Sequence, residues 1–111
     1  MFVIKPYKKY VKPYESHVKI YTEMKEYISR DNDEYKNWYA GITDDYQRSL
    51  FVNHRVYEDD DSYIFRECPN NRAAENVKAS LVKLGCKEIC GGWMNAPTIV
   101  YAYRKAFNTN P

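Results

Sequence analysis

Three cysteines and two histidines are the side chains of this sequence best suited to bind a metal or attack a substrate. Cys86 and Cys90 have three residues between them, and with His54 or Cys68 they could hold zinc. Structural zinc sites usually present two close pairs of ligands, so this single wide pair favours free thiols and predicts no metal site. No local signature marks a cysteine as a nucleophile paired with a histidine. The odd number of cysteines argues against a secreted disulfide framework and predicts a cytoplasmic protein.

A second group with possible chemistry lies near the N-terminus, where lysines and tyrosines are interleaved. Lys-Pro-Tyr occurs twice, ending at Tyr7 and Tyr14, and its prolines favour an extended arm over residues 1–15. Lysines interleaved with tyrosines suit phosphate contacts combined with base stacking. The same arm could instead swap onto a second subunit and form a homodimer. The candidate nucleic-acid-binding residues in the arm are Lys5, Lys8, Lys9, Lys12 and Tyr10.

The composition is that of a globular domain, with 111 residues, 44% hydrophobic side chains and 29% charged ones. These values exclude collagen-like, mucin-like and fully disordered proteins. There is no run of 18 apolar residues, so neither a transmembrane helix nor a membrane partner is expected. The net charge is +4 over residues 1–20, −6 over residues 21–61 and +4 over residues 62–111. A positive arm beside an acidic middle is compatible with a localised phosphate contact or with charge pairing.

The first half of the domain contains the elements that would position most of the candidate residues. Residues 16–30 have apolar side chains at helical spacing, which predicts a helix at their start, while their tyrosine-rich end could be a strand. Residues 37–42 have the composition of a strand, in which Gly41 permits a close approach or a bend. Thr43 could then cap a helix that runs to about His54.

The second half of the chain has clearer signals. Residues 62–67 and 98–104 have strand-forming side chains, and a stripe of apolar residues predicts a helix between Asn70 or Asn71 and Gly85. Residues 86–97 are expected to form a loop. This order predicts an α+β fold, a small and mainly antiparallel sheet of three to four strands with two to three helices. We expect one domain over residues 16–106, followed by a frayed tail over residues 107–111.

The segment from Trp38 to Phe51, followed by His54, resembles the second half of the GIY-YIG endonuclease motif. In that family a strand ending in Tyr-x-Gly leads through a polar turn into a helix that carries an arginine and then a histidine. Tyr39-Ala40-Gly41 stands in the YIG position. The first motif of the family ends in a tyrosine ten or eleven residues upstream, and eleven residues separate Tyr27 from Tyr39. The Gly-Ile of that first motif is absent here. The resemblance implies a GIY-YIG-like fold.

The resemblance also implies a catalytic site. Phosphodiester hydrolysis needs a base for water, a divalent metal and a cation for the developing charge. The family uses its tyrosines, the helix arginine and a glutamate on a later helix. The corresponding candidates here are Tyr27, Tyr39, Arg48 and Glu75, with His54 at the edge of the site. The position of the family arginine is Ser49, one residue after Arg48, and Glu75 is one turn from the expected place of the carboxylate, so the resemblance implies a degenerate site.

Three functions are compatible with these observations. The first is a GIY-YIG-like domain that does not cleave, acting as a nucleic-acid-binding or accessory protein for DNA or RNA. The second is an active, Mg²⁺-dependent nuclease that uses Arg48 and Glu75 from their shifted positions. The third is a phage or mobile-element protein that acts through protein–protein contact, since tyrosine is favoured at interfaces. No cofactor is expected, and Mg²⁺ would be needed only by the active nuclease.

Overall fold

The computed structural model describes residues 17–90 and 96–111, and the predicted basic arm over residues 1–15 lies outside this part of the chain. The described residues form two α-helices, α1 (His17–Ile28) and α2 (Asn71–Leu84), together with four strands. The strands are β1 (Trp38–Thr43), β2 (Tyr63–Glu67), β3 (Lys87–Glu88) and β4 (Ile99–Arg104). A 3₁₀ turn (Tyr35–Asn37) precedes β1, and a π-helix (Arg48–Asn53) follows it.

The four strands form one mixed sheet in the order β2-β4-β1-β3. Strand β4 lies between β1 and β2 and is antiparallel to both, whereas β3 is parallel to β1. In the β1–β4 register Tyr39 lies opposite Tyr103 and Gly41 lies opposite Tyr101. The α+β prediction of a small sheet with helices is confirmed.

The two helices cover one face of the sheet, which we call the helical face. Alternate residues of β1, β2 and β4 point to this face because successive side chains of a strand point in opposite directions. They pack with apolar residues of α1 and α2 into a mainly aliphatic cluster that also contains Cys68 and Cys86. The largest of its fully buried side chains include Trp38, Ile20, Met24, Ile28, Ile64 and Leu81.

The opposite face is lined by aromatic side chains, and we call it the aromatic face. Its buried members come from β2, β4 and the segment around the π-helix, and Tyr39, Tyr46 and Phe51 pack against them half-buried. The residues that form this buried cluster are Leu50, Val56, Tyr63, Phe65, Ile99, Tyr101 and Tyr103. Neither α1 nor α2 contributes to it, so a side chain's place in the strand alternation determines which environment it enters.

Local signals explain the ends of α2. The side chain of Asn70 accepts a hydrogen bond from the backbone N–H of Ala73 at 2.8 Å, as an N-cap does. Gly85 ends the helix with φ at 129°, a conformation that disfavours residues with a Cβ. The helix predicted from the apolar stripe is therefore confirmed at both ends.

Two expectations for the end of the chain differ from the structure. Residues 86–97 were expected to be a loop, but Lys87 and Glu88 pair with β1 as a short strand whose exposed side chains carry no apolar pattern. The tail was expected to fray from Phe107, but the backbone N–H of Asn110 donates to the His54 carbonyl at 2.8 Å. The side chain of Asn108 also donates to the carbonyl of Arg55 at 2.9 Å. These hydrogen bonds hold the tail against the segment that follows the π-helix.

Candidate ligand pocket on the aromatic face

A cavity of about 300 Å³ opens beside β1 on the aromatic face. Its most deeply buried lining residues are Ile42, Thr43, His54 and Tyr101, each at most 8% exposed. The rest of its wall comes from β1, the π-helix, β3 and the tail, through Tyr39, Ser49, Asn53, Glu88, Ile89, Cys90 and Pro111. The pocket therefore joins the segment that resembles the GIY-YIG motif to three parts of the chain that are distant in sequence, around β3, in β4 and in the tail.

His54 is held by hydrogen bonds on both ring nitrogens. Its Nδ1 lies 2.7 Å from the carbonyl oxygen of Asn110, and its Nε2 lies 2.9 Å from the hydroxyl of Tyr101. A carbonyl only accepts, so the ring proton is on Nδ1 and Nε2 accepts the proton of Tyr101. Burial lowers the pKa of His54, and the hydrogen bond to Asn110 opposes this effect only partly. His54 is therefore neutral at pH 7 and fixes the orientation of the Tyr101 hydroxyl.

The second tyrosine of β4 extends this network. The Tyr103 hydroxyl lies 3.4 Å from the Asn110 carbonyl and 3.2 Å from Nδ1 of His54. Because Nδ1 already carries a hydrogen, Tyr103 donates to the carbonyl instead. Burial raises the pKa of both Tyr101 and Tyr103, so both phenols remain protonated at neutral pH. The tail is thus bound directly to His54 and Tyr103, and His54 in turn is bound to Tyr101.

Gly41 provides the space for this arrangement. A Cβ at this position would lie 2.8 Å from the hydroxyl oxygen of Tyr101 and 2.9 Å from its Cζ atom. Because Tyr101 is the register partner of Gly41, its ring can cross β1 and reach His54 only where β1 has no side chain. The close approach predicted from the sequence is confirmed, and its partner is a tyrosine of the neighbouring strand.

The turn between β1 and the π-helix brings two hydroxyls together. The Thr43 hydroxyl accepts the backbone N–H of Asp45 at 3.0 Å and lies 2.7 Å from the hydroxyl of Ser49. The carboxylate of Asp45 accepts the backbone N–H of Arg48 at 3.1 Å, which is the interaction of an N-cap. Asp45 therefore takes the capping role predicted for Thr43, whose hydroxyl instead stabilises the turn and lines the pocket.

Glu88 borders the pocket where β3 pairs with β1, but its side chain points to the helical face because it lies opposite Ala40 in the register. Its Oε2 lies 2.9 Å from the Nζ of Lys78 on α2. This hydrogen bond and the charge of Lys78 lower the pKa of Glu88, so the carboxylate is ionised at neutral pH. Within residues 17–90 and 96–111, none of the residues that line the pocket is a lysine or an arginine. The described part of the pocket wall consequently offers hydroxyls, an amide and a neutral imidazole.

The structure brings Tyr39 and His54 together on the wall of this pocket. Tyr39 is half-buried, and its ring stacks on Tyr103 with 5.3 Å between ring centroids. Ser49, which occupies the position of the family arginine, lines the same pocket. Three positions identified through the resemblance therefore share one site.

The other candidate catalytic residues lie elsewhere. Tyr27 is on α1, not on a strand beside Tyr39, and packs edge-on against Trp38 in the helical-face cluster, with 6.0 Å between ring centroids. Glu75 is exposed on α2, the helix that covers the helical face. Arg48 is exposed at the start of the π-helix and does not line the pocket. Tyr27, Arg48 and Glu75 are therefore not assembled around Tyr39.

The cysteines do not form a metal site with the other residues that the structure describes. Residues 17–90 and 96–111 contain no group of three or more His, Cys, Asp or Glu side chains placed to hold an ion. Cys68 and Cys86 are buried on the helical face, and burial raises the pKa of their thiols to about 12 and about 11. Thiols with such pKa values are almost entirely protonated at neutral pH and are poor nucleophiles.

A larger cavity of about 370 Å³ lies where β1 begins and β4 ends, but internal ion pairs account for its charged groups. The carboxylate of Asp33 accepts hydrogen bonds from Arg104 Nε at 2.7 Å, Trp38 Nε1 at 2.8 Å and Asn37 Nδ2 at 3.1 Å. Burial acts to raise the pKa of Asp33, but these donors and the backbone N–H of Glu34 together hold it well below its usual range. These contacts connect the loop after α1 to the end of the sheet, which is a structural role.

Sequence reasoning missed Tyr101 and Glu88 as pocket residues. The alternation of residues 99–104 contained part of the signal, since it places Tyr101 and Tyr103 on one face of their strand. That signal becomes informative only when β4 is known to pair with β1. Glu88 had no comparable signal, because its strand is two residues long.

Comparison of the chain with protein-family models, with curated proteins and with solved structures gives no match. No helix in the described part of the chain is long and apolar enough to cross a membrane. The relation to GIY-YIG endonucleases remains a prediction based on residues 38–54.

Proposed function

We propose that this chain is a GIY-YIG-like domain that binds nucleic acid without cutting it. The observation that carries the proposal is the composition of the pocket on the aromatic face. Tyr39, Ser49 and His54 line it, whereas Tyr27, Arg48 and Glu75 lie outside it. The residues expected of a nuclease are therefore separated, while the segment that resembles the family still forms a cavity.

The chemistry of hydrolysis supports a binding role over a cleaving one. A nuclease stabilises the charge that develops on phosphate with a cation, and removing one such group costs on the order of 10²–10³ in rate. Among the residues that the structure describes, no lysine or arginine lines the pocket, and the carboxylate of Glu88, which borders it, is paired with Lys78 of α2. A phosphodiester would consequently meet neither an electrophile nor a cluster of metal-binding carboxylates there.

The choice of nucleic acid as the partner rests on the basic arm and on the tyrosines. Lys5, Lys8, Lys9 and Lys12 would supply phosphate contacts that are independent of base sequence. Tyrosine rings provide sequence-tolerant stacking surfaces for unpaired bases. In this proposal the arm holds the backbone of the strand, and the domain contributes an aromatic surface.

The test combines cleavage and binding on one gel. Purified protein is incubated with plasmid, branched DNA and single-stranded RNA, first with Mg²⁺ or Mn²⁺ and then with EDTA. We expect no cleavage with either metal, and a mobility shift that weakens as salt rises because phosphate contacts release counterions. The Tyr39→Phe variant should behave like the wild type in the cleavage lanes, and Tyr57→Phe, at an exposed tyrosine outside the pocket, is the matched control.

Two results would overturn the proposal in different ways. Metal-dependent cleavage that disappears in Tyr39→Phe, but not in Tyr57→Phe, would establish an active nuclease. The absence of any shift at low salt would reject nucleic acid as the partner. In that case a protein partner recognised through the tyrosine-rich surface becomes the better explanation.

A further inference from the structure

The tail covers a polar site on the aromatic face and fills it with one of its own oxygen atoms. The carbonyl oxygen of Asn110 accepts the Nδ1 hydrogen of His54 at 2.7 Å, and the Tyr103 hydroxyl donates to the same oxygen at 3.4 Å. The backbone N–H of Asn110 donates in return to the His54 carbonyl at 2.8 Å. Two neutral donors therefore converge on one acceptor oxygen.

Contacts within the sheet and its aromatic face orient these two donors. Tyr101 donates to Nε2 of His54 at 2.9 Å, so the ring hydrogen stays on Nδ1. The ring of Tyr103 stacks on Tyr39, and its strand β4 has a neighbouring strand on each side. Both donors are buried, and a buried donor without a partner is costly. The position of the Asn110 carbonyl therefore favours another acceptor oxygen whenever the tail is away.

The tail itself is held by hydrogen bonds and not by apolar packing. Residues 104–111 contain no buried side chain, and Phe107 is 99% exposed. The side-chain amide of Asn108 donates to the Arg55 carbonyl at 2.9 Å and to the carboxylate of Asp61 at 2.8 Å. Segments with few buried apolar contacts open at a lower free-energy cost than the whole domain. We call residues 108–111 the strap, and we expect it to open while the sheet stays folded.

The strap also forms part of the wall of the pocket. Pro111 and His54 both line the cavity of about 300 Å³. The Nδ1 of His54 lies under the strap, on the other side of the same ring whose Nε2 contacts Tyr101. Opening of the strap would consequently widen the pocket and present its two donors to a ligand.

We propose that the position of the Asn110 carbonyl is a binding site for an acceptor oxygen of the nucleic-acid strand, and that the strap occupies this site until the strand displaces it. The inference rests on the proposed function and adds a masked contact to it. Base carbonyls and phosphate oxygens share the required chemistry, because both accept hydrogen bonds. The donors are neutral, so this contact adds affinity without the counterion release that lysine contacts cause.

The test weakens the strap and measures binding of the full chain to fluorescein-labelled dC12 by anisotropy over a range of salt concentrations. Asn108→Ala removes both side-chain hydrogen bonds of Asn108 and leaves the two donors in place. We expect this variant to bind about three- to tenfold more tightly, because the loss of such a bond makes the open state more populated. The salt dependence should stay unchanged. Phe107→Ala, in the same tail, is the matched control and should bind like the wild type.

An abasic dodecamer with the same number of phosphates distinguishes the two sources of the oxygen. Tighter binding of both oligonucleotides by Asn108→Ala would support the masked site and identify the acceptor as a phosphate oxygen. Tighter binding of dC12 alone would also support the site and identify the acceptor as a base carbonyl.

Two further measurements connect the gain in affinity to the strap and to its donors. Hydrogen exchange at the Asn110 amide should be faster in Asn108→Ala and unchanged in Phe107→Ala. Tyr103→Phe removes a donor hydroxyl and keeps the ring, so in the Asn108→Ala background it should weaken dC12 binding about threefold. Tyr57→Phe in the same background, at an exposed tyrosine, should leave binding unchanged.

The possible failures are distinguishable. Faster exchange at Asn110 without tighter binding of either oligonucleotide would overturn the masked site and leave nucleic-acid binding intact. Unchanged exchange at Asn110 in Asn108→Ala would show that Asn108 does not hold the strap, and this result would also overturn the inference. Binding of neither oligonucleotide at low salt, by the wild type or by Asn108→Ala, would overturn the proposed function and the inference together.

Discussion

The two faces of the sheet use the same three long strands for different purposes. On the helical face Trp38, Ala40 and Ile42 of β1 pack under two α-helices, in a cluster whose side chains are mainly aliphatic. On the aromatic face Tyr39, Gly41 and Thr43 of the same strand lie beside tyrosines and a buried histidine. The first face requires dense packing alone. The second face also provides hydrogen-bond partners for its hydroxyl and imidazole groups, and a cavity remains beside them.

This difference indicates where function can be accommodated. An aliphatic core gains stability from close packing, and a cavity in it costs free energy without offering specific contacts. An aromatic face with fixed hydroxyls can keep a pocket, because its polar atoms already have partners and its rings are rigid. Among the described residues, every buried side-chain nitrogen or oxygen has a hydrogen-bond partner. The pocket therefore exists without leaving buried polar groups unpaired.

The largest expected effect on stability is on the helical face. Leu81→Ala removes a fully buried side chain of α2 and should lower the free energy of unfolding by about 2–5 kcal/mol. Urea denaturation measures this loss, with the exposed Lys83→Ala as the control on the same helix. Since Leu81 does not line the pocket, the folded variant should bind oligonucleotides like the wild type. A loss of oligonucleotide binding without a loss of stability would contradict the separation of the two faces.

A smaller effect is expected where the strands of the aromatic face approach most closely. Gly41→Ala places a Cβ 2.8 Å from the Tyr101 hydroxyl, so the phenol must move away from His54. Overpacking of this kind costs about 1–3 kcal/mol. Denaturant unfolding measures the loss of stability. The NMR signal of the His54 ring reports the movement of the phenol away from it. If the variant is as stable as the wild type with an unchanged His54 signal, Gly41 is not needed for this contact.

The smallest expected effect is a pH dependence of the free energy of unfolding that comes from His54 on the aromatic face. Burial lowers the pKa of His54 in the folded state below its ordinary value of 6.5, so folding disfavours protonation of the ring. The stability that the neutral ring contributes is fully present above that ordinary value and is lost as pH falls through the folded-state pKa. The free energy of unfolding should therefore be lower at pH 5.5 than at pH 7.5.

The control for this pH dependence is His54→Gln, which cannot be protonated. Its difference in unfolding free energy between the two pH values should be smaller than that of the wild type. An equal pH dependence in wild type and His54→Gln would show that other groups cause it.

The elements of the helical face could be predicted well because their sequence patterns extend over many residues. The apolar stripe of α2 and its capping residues Asn70 and Gly85 determine an element whose ends can be placed from sequence. The strand that contains Gly41 was also predictable, because tryptophan and tyrosine before a glycine suit a strand with a close neighbour. The alternation within residues 62–67 places Tyr63 and Phe65 on one side of their strand, and both lie on the aromatic face.

Contacts between distant segments were not predictable in the same way. Tyr27 has the spacing of a family tyrosine, but its neighbours Met24 and Ile28 form a helical stripe that buries against the sheet, so the residue is helical. The tail is held by backbone atoms of Asn110 and by the side-chain amide of Asn108, and neither contact follows from a pattern in the sequence. Glu88 borders the pocket through a two-residue strand that is too short to show an alternation.

The most direct test of the central claim is to map oligonucleotide binding on the two faces at once. Amide chemical shifts of the uniformly ¹⁵N-labelled chain are recorded during titration with dC12. The account predicts that the shifts change mainly at Tyr39, Thr43, Ser49 and Glu88, and that those of Ala74, Val77 and Leu81 on α2 stay unchanged. Shift changes concentrated on α1 and α2, with none at the pocket, would contradict it.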